Sequence, residues 1–262
     1  MSAITLFPVQ GLPEIGPGDD LAPILLRALE GQGLLPQPGD VLVVAHKIVS
    51  KAEGRVVNLE DITPSPEALE LGKQTGKPPA LVQLVLEESE QVVPLSKVLM
   101  ARHRLGWTCA NAGVDQSNAG DGRAVLLPLD PDRSAMLLSQ ELARRCGTTI
   151  PVLISDTHGR PLRNGIVGVA VGAWGMEVLK SYVGRRDRFG HTMSVSREAS
   201  ADELCSAASL CMGQGDESTP AVLIRGFHYI PASAGSAPLK RPPDQELFRP
   251  ATTTERSSPC AI

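Results

Sequence analysis

Two stretches carry the residues best suited to chemistry: Asn111-Ala112-Gly113-Val114-Asp115-Gln116-Ser117-Asn118 and Ile154-Ser155-Asp156-Thr157-His158-Gly159-Arg160. Each holds one carboxylate among oxygen and amide groups, and each reads as a loop at a strand end that turns at its glycine. Oxygen-rich acidic loops are where hard cations such as Mg²⁺ or Mn²⁺ are held. Arg160 and Arg163 stand close behind the second carboxylate, so cation, carboxylate and guanidinium could converge on a phosphate. Two unit charges about 4 Å apart repel by roughly 4 kcal/mol at an effective dielectric of 20, and a divalent cation between Asp115 and Asp156 would turn that repulsion into attraction. The competing reading is that each aspartate caps its own loop.

Other stretches are weaker. A lone loop histidine such as His158 is more often an exposed polar residue than a ligand, and no second histidine or cysteine spacing supports zinc. The basic loop Gly184 to His191 reads as a solvated turn or as a contact for a phosphorylated substrate. Gly213 to Pro220 ends a helix in an oxygen-rich loop that could cradle phosphates or offer Gln214 and Asp216 to a cation. Lys51 could act as a point charge for phosphate, although an exposed lysine is the commoner outcome. Gly72 to Lys77 imitates a P-loop but is one residue short, has Pro78 where Ser or Thr belongs, and ends a helix pattern instead of opening one. Gly76 is therefore read as a helix stop. Gly165 to Gly172 lacks dinucleotide spacing, and its small residues suit close backbone approach.

The elements that must position these residues alternate between strand and helix. The pattern predicts strands over 4–7, 41–45, 91–100, about 107–111, 150–155, 167–171 and 221–224. It predicts helices from Leu21 to about Glu30, 64–74, 80–88, from Pro131 up to Gly147, and 201–212. Val41-Leu42-Val43-Val44-Ala45 has the apolar continuity of a strand buried on both faces. The order lacks one clean βαβ rhythm, so the fold is expected to be mixed α/β (α+β), neither P-loop nor Rossmann. From Pro231 the composition shifts to Pro, Ser and Ala, which divides a 1–230 unit from a mobile or surface-draped 231–262 tail.

Composition bounds the function. The 262 residues are 42% hydrophobic but only 3% aromatic, with a net charge of −4. An acidic chain with few aromatics lacks the footprint of a nucleic-acid binder. The five cysteines contain no Cys-x-x-Cys pair and are expected to be reduced, mostly buried residues. With no leader pattern and no membrane-length apolar run, the expected location is the cytoplasm.

Taken together, the chain resembles the coenzyme F420-0:L-glutamate ligase (F420 γ-glutamyl ligase) family. The resemblance runs in order from about residue 4 to 228 through Pro8-Val9-Gln10-Gly11-Leu12-Pro13, Gly18-Asp19-Asp20-Leu21, Lys47 to Arg55, Asn111 to Asn118, Leu127 to Asp132, Asp156-Thr157-His158-Gly159-Arg160, Arg163-Asn164-Gly165, Ala201-Asp202-Glu203 and Arg225-Gly226. It implies an F420 ligase-like mixed α/β fold forming an intertwined homodimer. It also implies GTP-dependent addition of L-glutamate to coenzyme F420-0, then of a further γ-linked glutamate, through an acyl phosphate. Two divalent ions (Mn²⁺ or Mg²⁺) and K⁺ are implied as cofactors. By matching position, Asp115 and Asp156 would hold one divalent ion, and Thr157 and Gln214 the other. Leu12, Pro13, Glu14, Ile15, His46, Lys47, Lys51, Asn118, Met212, Gly213, Gln214, Gly215, Asp216, Glu217, Ser218 and Thr219 would line the GTP site. Arg160 and Arg163 would join the two aspartates as catalytic-site anion clamps. The chain departs from the family pattern at His46, where a small polar residue or glutamine is expected, and at Gln214, where an acidic ligand also occurs. The alternatives are a related metal-dependent, nucleotide-using carboxylate–amine ligase and a non-catalytic nucleotide- or deazaflavin-binding protein.

Overall fold

A computed structural model describes residues 3–160, 162–242 and 245. In chain order the elements are β1 (Thr5–Pro8), α1 (Leu21–Gly31), β2 (Val41–Ala45), α2 (His46–Ala52), β3 (Val56–Asn58), α3 (Pro66–Thr75), α4 (Pro79–Glu87), β4 (Ser89–Leu95), β5 (Val98–His103), β6 (Thr108–Ala110) and β7 (Arg123–Val125). They continue with α5 (Pro131–Cys146), β8 (Val152–Arg160), β9 (Arg163–Trp174), β10 (Lys180–Ser181), β11 (Arg197–Glu198), α6 (Ser200–Met212) and β12 (Ala221–Arg225). The fold is mixed α/β, as the sequence pattern predicts.

Its centre is a five-stranded sheet in the order β1-β12-β2-β8-β9, parallel only between β2 and β8. Side chains on a strand alternate faces, so Leu42 and Val44 pack with α1 and α5, while Val41 and Val43 pack with α6. This is the doubly buried strand that the apolar run of β2 requires. A third apolar cluster joins α3 and α4 to the sheet β4-β5-β6 and includes Ala112 and Val114. The helix ends follow their sequence signals. Asp20 accepts from the Ala22 amide to cap α1, Asp130 accepts from Arg133 ahead of Pro131 in α5, and left-handed Gly76 and Gly147 end α3 and α5.

Three expectations need correction. The stretch 91–100 is a hairpin, not one strand: β4 and β5 turn at Ser96, which has φ 56°. Ile154 to Arg160 is not a loop turning at Gly159. It continues β8 and pairs residue by residue with β9, because the small side chains of β9 let α6 and α5 lie directly against it. A Cβ added at Gly168 would stand 2.4 Å from the Cys205 carbonyl oxygen, and one at Gly172 would stand 2.5 Å from Pro131. The third difference is α2, a short helix that starts where β2 ends and that the sequence pattern does not announce.

The beginning of the Pro/Ser-rich stretch lies against the body. Ser236 is buried, donating its amide to Asp132 Oδ1 and its hydroxyl to Asp132 Oδ2, and Lys240 stands over the Trp107 ring. Residues 243, 244 and 246–262 of the tail, Cys260 among them, lie outside the described residues. Cys109, Cys146, Cys205 and Cys211 are free thiols, with Cys109 and Cys205 buried. No helix among the described residues is long and apolar enough to cross a membrane.

Candidate active site

Parallel strands deliver their carboxyl ends to the same edge of a sheet, and ligands bind in the crevice beyond such ends. Here β2 and β8 are that pair. Beyond Ala45 and Ser155 opens a cavity of about 310 Å³, the size of a small-molecule site. Its walls are the loop after β1 (Leu12, Pro13, Glu14, Ile15), the start of α2 (His46, Lys47, Ile48, Lys51), Asn118, three residues of β8 (Ser155, Asp156, Thr157), and the end of α6 with the following loop. That last wall comprises Ser209, Met212, Gly213, Gln214, Gly215, Asp216, Ser218, Thr219 and Pro220.

The structure therefore brings together every residue tied by resemblance to the nucleotide except Glu217, which is not among the cavity walls. Asp156, Thr157 and Gln214 share the same walls. Asp115 stands behind Lys47, whose Nζ lies 2.8 Å from Asp115 Oδ2 and donates to Ser117 Oγ at 2.6 Å. Arg160 and Arg163 lie at the far end of the β8–β9 hairpin, outside the walls. Arg160 Nη2 donates to the Asn164 carbonyl, and its Nε is buried with no hydrogen bond.

The Asp115 loop owes its shape to three successive left-handed residues: Asn111, Ala112 and Gly113 have φ of 53°, 52° and 67°. Gly113 fits closely besides, since a Cβ there would meet Leu127 at 2.9 Å. The loop-capping reading of Asp115 holds, and its carboxylate is also paired with a lysine. It caps its own loop by accepting from the Ser117 amide at 2.7 Å, and it faces a cation, the Lys47 ammonium. Burial opposes its ionisation, but Lys47 and the Ser117 amide outweigh that and hold its carboxyl below the usual aspartate range.

Asp156 is aimed by an irregularity in β8–β9 pairing. Ile154 pairs with Gly172 but Ser155 pairs with Ala170, so the ladder skips Val171 just before the carboxylate. Such bulges re-aim side chains next to functional sites. Asp156 Oδ1 accepts from the Thr157 amide at 2.7 Å and lies 3.3 Å from His46 Nε2, while Oδ2 lies 3.3 Å from His158 Nε2. Burial acts to raise its pKa, yet the flanking imidazoles of His46 and His158 prevail and keep it ionised. His158 is thus not the exposed loop residue expected. Burial works against its positive charge, but Asp156 and the adjoining Cys109 thiol raise it to about 10. Lys51 is not freely exposed either: its side chain is 15% accessible and its Nζ reaches Glu14 Oε1 at 2.5 Å.

The donor set fits a divalent cation in kind: two ionised carboxylates, the Thr157 hydroxyl and the Gln214 amide oxygen. Among the described residues, no three His, Cys, Asp or Glu side chains form a cage of their own. Sequence reasoning missed Cys109, Ser117, Ser155, Ser209 and Pro220. Ser117, Ser155 and Pro220 lay within stretches already singled out. Cys109 and Ser209 carry no local signal and are gathered by the meeting of β6 and α6 with the sheet end.

A mixed α/β protein with a sheet-end cavity lined by Lys47, Lys51 and the ionised Asp156 is the class that this fold and site define. Residues 11–226 match the family model described as F420-0:Gamma-glutamyl ligase. The chain is 45% identical over 249 residues to a protein of Methanothermobacter thermautotrophicus named coenzyme F420:L-glutamate ligase, covering 94% of this chain and 99% of that one. Proteins of the same name from Methanopyrus kandleri and Archaeoglobus fulgidus are 41% and 39% identical, over 95% and 94% of this chain and 99% and 96% of theirs. The chain belongs to the F420-0:gamma-glutamyl ligase family.

Proposed function

We propose that this chain is a GTP-dependent ligase that joins L-glutamate to the carboxylate of coenzyme F420-0 and then adds a further γ-linked glutamate. One observation supports the reading: in a member of this family, Asp156, Thr157, Gln214 and the residues expected at the nucleotide, Glu217 apart, line one cavity at the carboxyl ends of β2 and β8. A free carboxylate is a poor acyl donor because oxide is a prohibitive leaving group. Phosphoryl transfer from GTP makes an acyl phosphate, and attack by the glutamate amine then expels phosphate. The protein's task is to bring anions together, orient them and exclude water.

In this reading Lys47 and Lys51 hold triphosphate oxygens and the 213–219 loop encloses the nucleotide. Asp115 and Asp156, with Thr157 and Gln214, hold the divalent ions, which supply charge neutralisation for the phosphoryl group in transit. Arg160 and Arg163 meet the phosphorylated acceptor, and the unpartnered Arg160 Nε supports that role as a donor left for an anion. K⁺, a homodimeric state and a cytoplasmic location belong to the same proposal. Incubation with F420-0, GTP, L-glutamate and Mn²⁺ tests it. Mass analysis should reveal glutamate added to F420-0 with GDP released, and GTP bound without any product would overturn the ligase reading.

A further inference from the structure

Every residue from Gly213 to Pro220 walls the cavity except Glu217. The Glu217 carboxylate instead fills the inside of its own loop. Its Oε2 accepts from the Gly215 amide at 2.8 Å, and its carboxyl is held below the usual glutamate range by its own amide and those of Gly215 and Gln214. The loop passes close to it at Gly213. Gly213, at φ 69°, is the one residue that can pass, since a Cβ there would stand 2.1 Å from the carboxyl carbon. Two further bonds hold the shaped loop: Asn118 Nδ2 donates to the Gly215 carbonyl from outside it, and Thr219 Oγ1 donates to the Glu217 carbonyl within it.

We infer that Glu217 is a positioning residue of the nucleotide loop and not a nucleotide contact. Its carboxylate gathers the backbone amides on the side away from the cavity, which turns Gln214, Asp216 and Ser218 toward the ligand. This rests on the reading of the cavity as a nucleotide site. The loop is solvent-exposed and short of apolar contacts, so an internal acceptor is what keeps its glycines in one conformation before a ligand arrives. A carboxylate ringed by amides could instead be a stand-in for a phosphate that later displaces it. The placement of Glu217 outside the cavity wall, between two residues that are in it, favours the positioning role.

The test compares the full-length native chain with Glu217→Ala, Glu217→Gln and Glu217→Asp. The expected result is that Glu217→Ala raises KM for GTP at least tenfold while kcat changes less than threefold. Glu217→Gln, which keeps an acceptor at the same reach, should recover most of the loss, and the shorter Glu217→Asp should not. Hydrogen exchange of the ligand-free proteins supplies an independent readout. The amides of Gln214, Gly215 and Glu217 should exchange faster in Glu217→Ala while the thermal midpoint stays unchanged. An unchanged KM or unchanged exchange overturns the inference, and a lowered KM overturns it in favour of a displaced phosphate stand-in. If the native chain shows no GTP-dependent ligation, the reading of the site fails separately, and the exchange measurement alone decides the role of Glu217 in the loop.

Discussion

Glu88 and Asp156 are both carboxylates turned inward toward basic side chains, in different parts of the molecule. Glu88, with a side chain only 7% exposed, receives Arg55 Nη2 at 2.7 Å and Arg104 Nη2 at 2.6 Å, and His103 Nε2 lies 3.4 Å away. Arg55 also donates to the Leu127 carbonyl, so the cluster ties the segment after α2 to the end of α4 and to the segment between β7 and α5. Asp156 has one short hydrogen bond, from the Thr157 amide, and two imidazole nitrogens at 3.3 Å that are buried without a hydrogen bond. One carboxylate is saturated by strong, directional donors. The other is held ionised but left open. Saturation suits a structural tie, whereas an ionised carboxylate with free coordination at a cavity wall suits exchange with an incoming cation or ligand.

The largest effect should come from Asp156→Asn. Ligation should fall on the order of a hundredfold or more, and Mn²⁺ affinity of the ligand-free protein should fall with it, both by more than any loss of stability explains at a temperature where the variant is folded. Near-normal turnover with unchanged metal dependence would place the cation elsewhere. Arg55→Ala should give the reverse profile. Removing one partner of a buried carboxylate costs about 3 kcal/mol, readable as a lower urea midpoint, with any loss of activity following stability. A fully stable Arg55→Ala protein would make the Glu88 cluster decorative.

Gly168→Ala couples the two behaviours. Its new Cβ would press on the Cys205 carbonyl at 2.4 Å, and Gly168 pairs with Thr157, next to Asp156. Overpacking should cost about 1–3 kcal/mol and lower turnover beyond what the lost stability explains, measured at a temperature where the variant is fully folded. The smallest effect concerns acid. Burial works to raise the pKa of Glu88, but His103, Arg55 and Arg104 bring it below its ordinary 4.5. Its stabilising contribution is therefore complete above that ordinary value and is lost as pH falls through the lower folded value. Unfolding measured between about pH 3 and 6 should show a flatter acid limb in Glu88→Gln than in the native chain, and parallel limbs would remove Glu88 from the account.

Local signals carried the sequence reading where the cause of structure is local. Asp20, Asp130, Gly76 and Gly147 mark helix ends because caps act through neighbouring amides and left-handed backbone. The unbroken apolar run of β2 announces burial on both faces because no polar side chain remains to face water. The reading failed at 154–160, where polar residues and a glycine look like a loop. That stretch is strand because β9 supplies a partner and its glycines admit α6. His158 was misjudged for the same reason, since nothing near it in sequence reveals that it faces a carboxylate two residues back along a strand.

The chain itself determined which residues could do chemistry: two aspartates, two lysines, the oxygen-rich loop after α6 and the family resemblance they carry. Side-chain chemistry and short-range backbone preferences are properties of the residues and travel with them. The tertiary structure alone decided that β2 and β8 run parallel and open a cavity at their shared end, that a skipped residue at Val171 aims Asp156, and that Glu217 bonds to its own loop while its neighbours line the cavity. Those outcomes depend on strand order, register and contacts between distant segments, which no local pattern of residues encodes.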